Sequence, residues 1–525
     1  MGRFRGIRRS KPAAVLAVTL LGAAVLPMHG ASADLQSDLA DQVQQFLDVG
    51  RTSVPRAECG ADSLPERGLQ GDVPADDRNS GRSTLGYRCN LSFVGGYVGK
   101  GAGITSTTYD HCSYTGSLFP GNILGPAQGV QVLDVSNPAN PVETGSLTEP
   151  AMLAGTWESL KVNAERKLLV GTGVPVGEGA GYLSVYDISD CAHPRLLNPG
   201  AGTNLLMPLP ITTHEGGFSP DGRTYWASGI APGFVSAVDL TDPANPHVIW
   251  QGLTGIEAHG FGISPDGNRM YLSALGGFTV LDISAVQRRD PNPQVPHLGR
   301  VFWTDGWATQ HSIPVTYDGK PYLFTADEGG AGGVKLIDIS DDTNPSVAAK
   351  LKLEINLPEN QDSAVASAMG GSVFSYDAHY CAADRPTNPT ALACGWEESG
   401  IRVFDVRDPF HPKEIAYFNP PARKGRNLEL WNSPHALASL IGPPVMEFPS
   451  AARAILEGKF DPNQALSSRT GMLAFGDLST DWCFSPPEWH GSQLWATCND
   501  NGFMVLQLAE DVYTPPADQQ SVVGS

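Results

Sequence analysis

None of the eight cysteines stands in a CxxC pair, which argues against a thiolate zinc site. No GxSxG elbow, HExxH helix, P-loop or dinucleotide fingerprint occurs in a supporting context, so these hydrolase, metalloprotease and nucleotide-binding signatures are set aside. Basic residues are scarce: lysine and arginine number 35 against 55 aspartates and glutamates. With no basic patch interleaved with aromatics, nucleic-acid binding is excluded. The one long apolar run lies near the N-terminus. It is too short to span a membrane and is followed by polar sequence, so no integral membrane segment is expected.

That run has another meaning. Arg3, Arg5, Arg8, Arg9 and Lys11 precede "AAVLAVTLLGAAVL" and the small-residue site "ASA" before Asp34. Basic, apolar, then small is the order of a secretory signal, here residues 1–33. Taking those five bases from 35, against 55 acidic side chains, leaves a mature chain of about −25. The protein is expected to be secreted, extracellular or cell-wall associated. Eight cysteines in an exported chain read as disulfides. Cys381 with Cys394, and Cys483 with Cys498, are separated by a strand-and-turn length. Cys59, Cys89, Cys112 and Cys191 leave three pairings open.

A phrase recurs: "LDVSNPANP" at 133, "YDISDCAHP" at 186, "VDLTDPANP" at 238, "IDISDDTNP" at 337. Aligned on its aspartate, the unit appears at Asp134, Asp187, Asp239, Asp282, Asp338 and Asp405, and once more at 502–508 with Gln507 in the aspartate's place. Short strands and turns repeating every 40 to 50 residues or more mark β-propeller blades. In the copy from 213 to 253, four β-rich runs are separated by SPDG, APG and DPANP. The aspartate is expected to cap its turn as an Asx turn does. The fold class is therefore all-β, a seven-bladed β-propeller over residues 85–510. The strand "LSFVGGYVG" at 91 should complete the last blade and close the ring.

Three segments lie outside the ring. Residues 34–84 read as a helix, with Leu35, Leu39, Val43, Phe46 and Leu47 on one face, followed by an extended arm. Residues 420–470 form an insertion before the last blade, with a helix expected around "SAARAILEG", and 511–525 read as a flexible tail.

The "DxSxPxxP" turns after strands such as "VQVLDV" and "VKLIDI" resemble those of bacterial LVIVD-repeat proteins, which are secreted or surface β-propellers. More distantly the chain is similar to the selenium-binding protein or methanethiol oxidase family. That resemblance implies a seven-bladed ring and copper-dependent thiol oxidation.

Candidate chemistry comes from a second alignment. His214 and His259 each stand five residues before a Ser-Pro, and His311 holds the matching place one blade later. His379 and His111 open two further blades, each after a Tyr-Asp, while the second blade offers Trp157 and Glu158. Leading positions of radial blades converge on the axis. His214, His259, His311, His379 and His111 are therefore candidate ligands for copper, iron or zinc. Glu215, Glu257, Asp110, Asp377 and Glu158 are candidates to orient their rings. Two functions follow: a metal-dependent oxidoreductase acting on a small molecule, or a non-catalytic propeller binding a protein, glycan or small molecule at the cell surface. The sequence is silent on oligomeric state.

Overall fold

In the computed structural model, seven antiparallel sheets follow one another along the chain. The structure describes residues 43–44, 46–117, 129–173, 180–198, 206–208, 213–230, 232–255, 257–368, 374–438, 456–458 and 478–523. The chain divides into two units, Met1–Asp48 and Val49–Ser525. Of the expected 34–49 helix, residues 43, 44, 46 and 47 are helical, 48 and 49 are not, and the rest lies outside the described residues. The expected signal at 1–33 also lies outside them, as do 439–455 and 459–470 of the expected 420–470 insertion; of its helix at 450–458, residues 456 and 457 are helical and 450–455 are not described.

Six blades are built from consecutive strands. Their first strands are Ser106–Tyr109, Lys161–Asn163, Glu215–Phe218, Phe261–Ile263, Trp307–Tyr317 and Cys381–Ala383, and the seventh blade starts at Glu488–His490. Neighbouring first strands tie directly to one another. The Gly260 N–H donates to the Gln310 carbonyl at 2.8 Å, and Glu158 bridges Glu215 in parallel. First strands that meet in this way line the axis, as in any propeller. Between blades the packing is apolar: Trp226, Ala237, Phe261, Met270 and Leu281 form one such layer, and Leu133, Trp495, Phe503 and Val505 another.

All six repeat aspartates do what the turn chemistry requires. Each accepts the backbone N–H two residues on, at distances from 2.7 Å for Asp239–Thr241 to 3.0 Å for Asp405–Arg407. Bonds to the charged form hold the aspartates below the usual carboxylate range, chief among them for Asp134 and Asp187, and outweighing burial for the other four. The phrase is structural punctuation.

Leu91–Tyr97 pairs with Gly502–Leu508, so an N-terminal strand closes the last blade as expected. Tyr87–Cys89 adds a further strand outside Lys413–Asn419 of blade 6. The C-terminus departs from the expected flexible tail: Val522–Val523 pairs with the first strand of blade 6, and buried Tyr513 packs on Trp489. Disulfides Cys381–Cys394 and Cys483–Cys498 form as expected, and the open pairings resolve as Cys59–Cys89 and Cys112–Cys191. No cysteine is left free, which closes the thiolate-metal alternative. Among the described residues no helix is long and apolar enough to cross a membrane. Together with the four disulfides this is consistent with an extracellular protein.

The arm from 49 to 84 is anchored on blade 6 by buried ion pairs. Arg78 donates to Glu398 at 2.6 Å, and Arg402 lies between Glu66 of the arm and Glu414 of the outer strand.

Candidate metal centre

Three histidines stand at equivalent places, just ahead of a first strand. Each is fixed by a backbone bond to the end of its second strand: His214 to Ser228 at 2.7 Å, His259 to Ser273 at 2.9 Å, His379 to Gly395 at 3.0 Å. Equivalent placement on radial blades turns their rings onto one spot. The Nε2 atoms of His214 and His259 are 3.1 Å apart. Glu158 reaches both sides of the cluster, at 2.8 Å from His214 Nε2 and 3.1 Å from His379 Nε2. Glu328 stands 3.4 Å from His259 Nε2 and 3.5 Å from His379 Nε2. All five groups are buried.

Their surroundings set which atoms face inward. His379 Nδ1 donates to the Phe484 carbonyl at 3.0 Å, so its Nε2 is turned to the centre. Glu257 Oε1 lies 3.7 Å from His259 Nδ1, while its Oε2 accepts the Leu275 N–H at 2.6 Å. Glu158 is placed by a costly backbone. Trp157 before it sits at φ 46°, a conformation bulky side chains rarely adopt, and the Thr105 hydroxyl braces its carbonyl at 2.9 Å. The Trp157 indole then lies 5.5 Å from the His214 ring.

Burial and the two carboxylates set the charge of the cluster in opposite directions. Burial weighs against a charged ring at His379, but hydrogen bonds and attraction from Glu158 and Glu328 raise it to about 10. Glu158, though buried, is driven well below the usual carboxylate range by His214 and His379. His259 is pushed by burial down to about 4.

The other sequence candidates are placed differently. His311 is in the middle of its strand, where the pairing register slips between Thr309 and Ser312. It is the neighbouring Gln310 that faces the axis, 3.4 Å from His379 Nε2. Alternation along the strand then turns His311 into the seam between blades 5 and 6. There it stacks on Tyr380 at 4.4 Å and accepts the Cys381 N–H at 3.2 Å. His111 follows its first strand instead of preceding it, so it lies at the far end of the blade. It is exposed there with Asp110 3.0 Å away, beside the Cys112–Cys191 disulfide. Glu215 pairs with Lys161 at 2.8 Å and orients no histidine. Asp377 is buried, its N–H donating to Glu397 at 3.2 Å. The sequence reading missed Glu328. It belongs to the second strand of blade 5, Lys320–Gly329, and only leading strands had been compared.

At the other end of the blades, partly exposed Glu488 accepts the Thr108 N–H at 3.1 Å, and desolvation raises it to about 7. A carboxyl whose native value lies above its unfolded value of 4.5 stabilises fully below 4.5, and that contribution is lost as pH rises through 7. Denaturant melts should therefore show stability falling from pH 5 to pH 8 by about 2 kcal/mol more in the parent than in Glu488→Gln, screening allowed for. Parallel pH slopes in the two proteins would refute this.

Residues 127–149 match the LVIVD repeat model. No curated protein matches the chain. Among solved structures, Sqt1 of Chaetomium thermophilum is 12% identical with a TM-score of 0.45, covering 79% of this chain and 99% of its own. A periplasmic gluconolactonase of Pseudomonas aeruginosa is 14% identical with a TM-score of 0.42, covering 58% and 82%. Likeness at this level transfers no activity. The LVIVD match and the seven blades agree with the resemblance drawn from the Asp-Pro turns.

Proposed function

We propose that this is an exported propeller whose axial centre holds one transition metal ion, copper, iron or zinc, and acts on a small molecule, with oxidation the favoured reaction class. The observation that carries the reading is the convergence of His214, His259, His379 and Glu158, with Glu328 alongside. Metal–ligand bonds of about 2.0–2.2 Å put neighbouring donors roughly 2.8–3.4 Å apart. The 3.1 Å between the two Nε2 atoms and the 2.8 Å from His214 to Glu158 fit that spacing. An imidazole-rich set with one or two carboxylates suits late first-row ions over calcium or magnesium.

When bound, such an ion supplies Lewis acidity and, for copper or iron, electron transfer. The protein's own groups supply the rest. Glu328, against two of the histidines, is placed to hold a proton at a carboxylate oxygen. Half-buried Trp157 walls the His214 side. Oxidation as the reaction class leans on the resemblance to the methanethiol oxidase family, export on the N-terminal sequence.

Elemental analysis of protein purified without a metal-affinity step should find close to one copper, iron or zinc per chain. Oxygen uptake with small thiols should depend on that metal and stop on chelation. Protein that is isolated empty, and whose melting temperature none of the three ions raises, would end the proposal.

A further inference from the structure

The ring closes at a seam between the outer strands of blades 6 and 7, and the seam holds a groove of about 470 Å³. That volume falls within the range of small-molecule sites. The groove is built on the outer two strands of each blade, whereas the axial histidines stand at the innermost ones, so the two are separate places. Its apolar lining includes Phe418, Phe503 and Met504. Leu85 and Phe93 border it, 61% and 54% exposed. Phe93 owes its position to a bulge, the closing strand's register slipping between Phe93 and Gly95. Bulges re-aim side chains. This one lays the ring nearly parallel to Phe418 at 6.4 Å and over Gly96, where a Cβ would meet it at 3.2 Å. A large ring held out in this way is not hiding from water.

The polar part of the lining has one sign. Arg88 and Arg423 line the groove, and no aspartate or glutamate does. Arg88 Nε donates to the Asp62 carbonyl at 3.3 Å and Arg423 Nε to Asn501 Oδ1 at 2.9 Å. Among the described residues neither pairs with a carboxylate. In a chain of formal charge −20, a groove lined by two guanidinium groups and no carboxylate is a local inversion, the carboxylates of Asp62, Glu510 and Asp511 lining the adjoining hollow on the other side of Arg88. Guanidinium favours carboxylate and sulfonate over neutral acceptors. We infer that the seam groove binds a small amphipathic anion, its apolar body against Phe93, Phe418 and Phe503 and its charged head on Arg88 and Arg423.

The test uses the full mature chain and two fluorescent probes with the same rings, anionic 1-anilinonaphthalene-8-sulfonate and neutral N-phenyl-1-naphthylamine. The parent should bind the anion at one saturable site, about tenfold or more tighter than the neutral probe, as charge-assisted bonds imply. Arg88→Gln with Arg423→Gln should erase that preference while leaving the neutral probe bound. Phe93→Ser should weaken both probes. Decanoate should displace the anion and decyltrimethylammonium should not. Chelation of the axial metal should change none of this, so the two readings fail separately. The inference is overturned by absence of a saturable site, by a folded double variant that keeps the preference, by Phe93→Ser binding as the parent does, by equal displacement by the cation, or by probe loss on chelation.

Discussion

Replacing His259 with alanine should empty the axial centre. Metal per chain should fall from near one to less than about a tenth of the parent's value, since even supporting residues of metal sites cost 10- to 100-fold in affinity. His311→Ala should leave the metal content unchanged. The contrast is sharp because the two histidines look alike in sequence and are both fully buried. His259 brings its Nε2 to 3.1 Å from that of His214 and 3.4 Å from Glu328. His311 instead spends its Nε2 on the Cys381 backbone N–H. His311→Ala should act on stability, through the lost stack on Tyr380 and the orphaned N–H, by roughly 1–3 kcal/mol. The readouts are elemental analysis and the thermal shift on adding metal. A ligand at 100 times its dissociation constant adds about 2.7 kcal/mol to a protein that binds it. That increment should vanish in His259→Ala and persist in His311→Ala. Equal metal loss in both variants, or in neither, would remove the assignment of the ligands.

Why three of five histidines were legible follows from the same geometry. The repeat fixed where each blade starts, because its turns carry unmistakable Asp, Asn and Pro residues. A residue just before a first strand is therefore recoverable by counting from the Ser-Pro turn, as for His214 and His259. The count failed by one residue at blade 5, where a bulge between Thr309 and Ser312 exchanges the facing of Gln310 and His311. Blade 1 failed for a different reason. "TYDHC" and "SYDAHYC" look alike as strings, yet Asp110 and His111 close a first strand whereas His379 precedes one. Glu328 was out of reach because nothing in "FTADEGG" shows that a second strand runs to the axis. Closure by Leu91–Tyr97 was readable from an incomplete last copy. The extra strands Tyr87–Cys89 and Val522–Val523 carry no repeat and had no such signal.

Arg402→Ala should be among the most damaging single changes outside the centre, costing about 3–5 kcal/mol at pH 8. The guanidinium is fully buried over the Tyr417 ring at 4.6 Å, donates to Glu414 at 3.0 Å and to Glu66, and its Nε bonds the Ser399 carbonyl at 2.9 Å. Glu414 in turn accepts from Gln70 of the arm at 2.9 Å. Alanine thus leaves two buried carboxylates with only the more distant Arg56, itself paired with Glu354, and loosens the arm at both contacts. Burial already raises Glu66, with Arg402 the principal force pulling it back. Without that force its native value climbs further above the unfolded one. A carboxyl raised in this sense stabilises at low pH and loses that contribution as pH rises. The deficit should therefore be largest above neutrality and shrink toward pH 5, as the raised Glu66 takes up its proton. Adding Glu66→Gln and Glu414→Gln should restore much of the loss, because amides need no counter-ion. Denaturant melts at both pH values measure the deficit, and protease cleavage within 51–84 reports the loosened arm. A cost below about 1 kcal/mol, or one that grows toward acid, would mean that the arm is not held by this charge cluster.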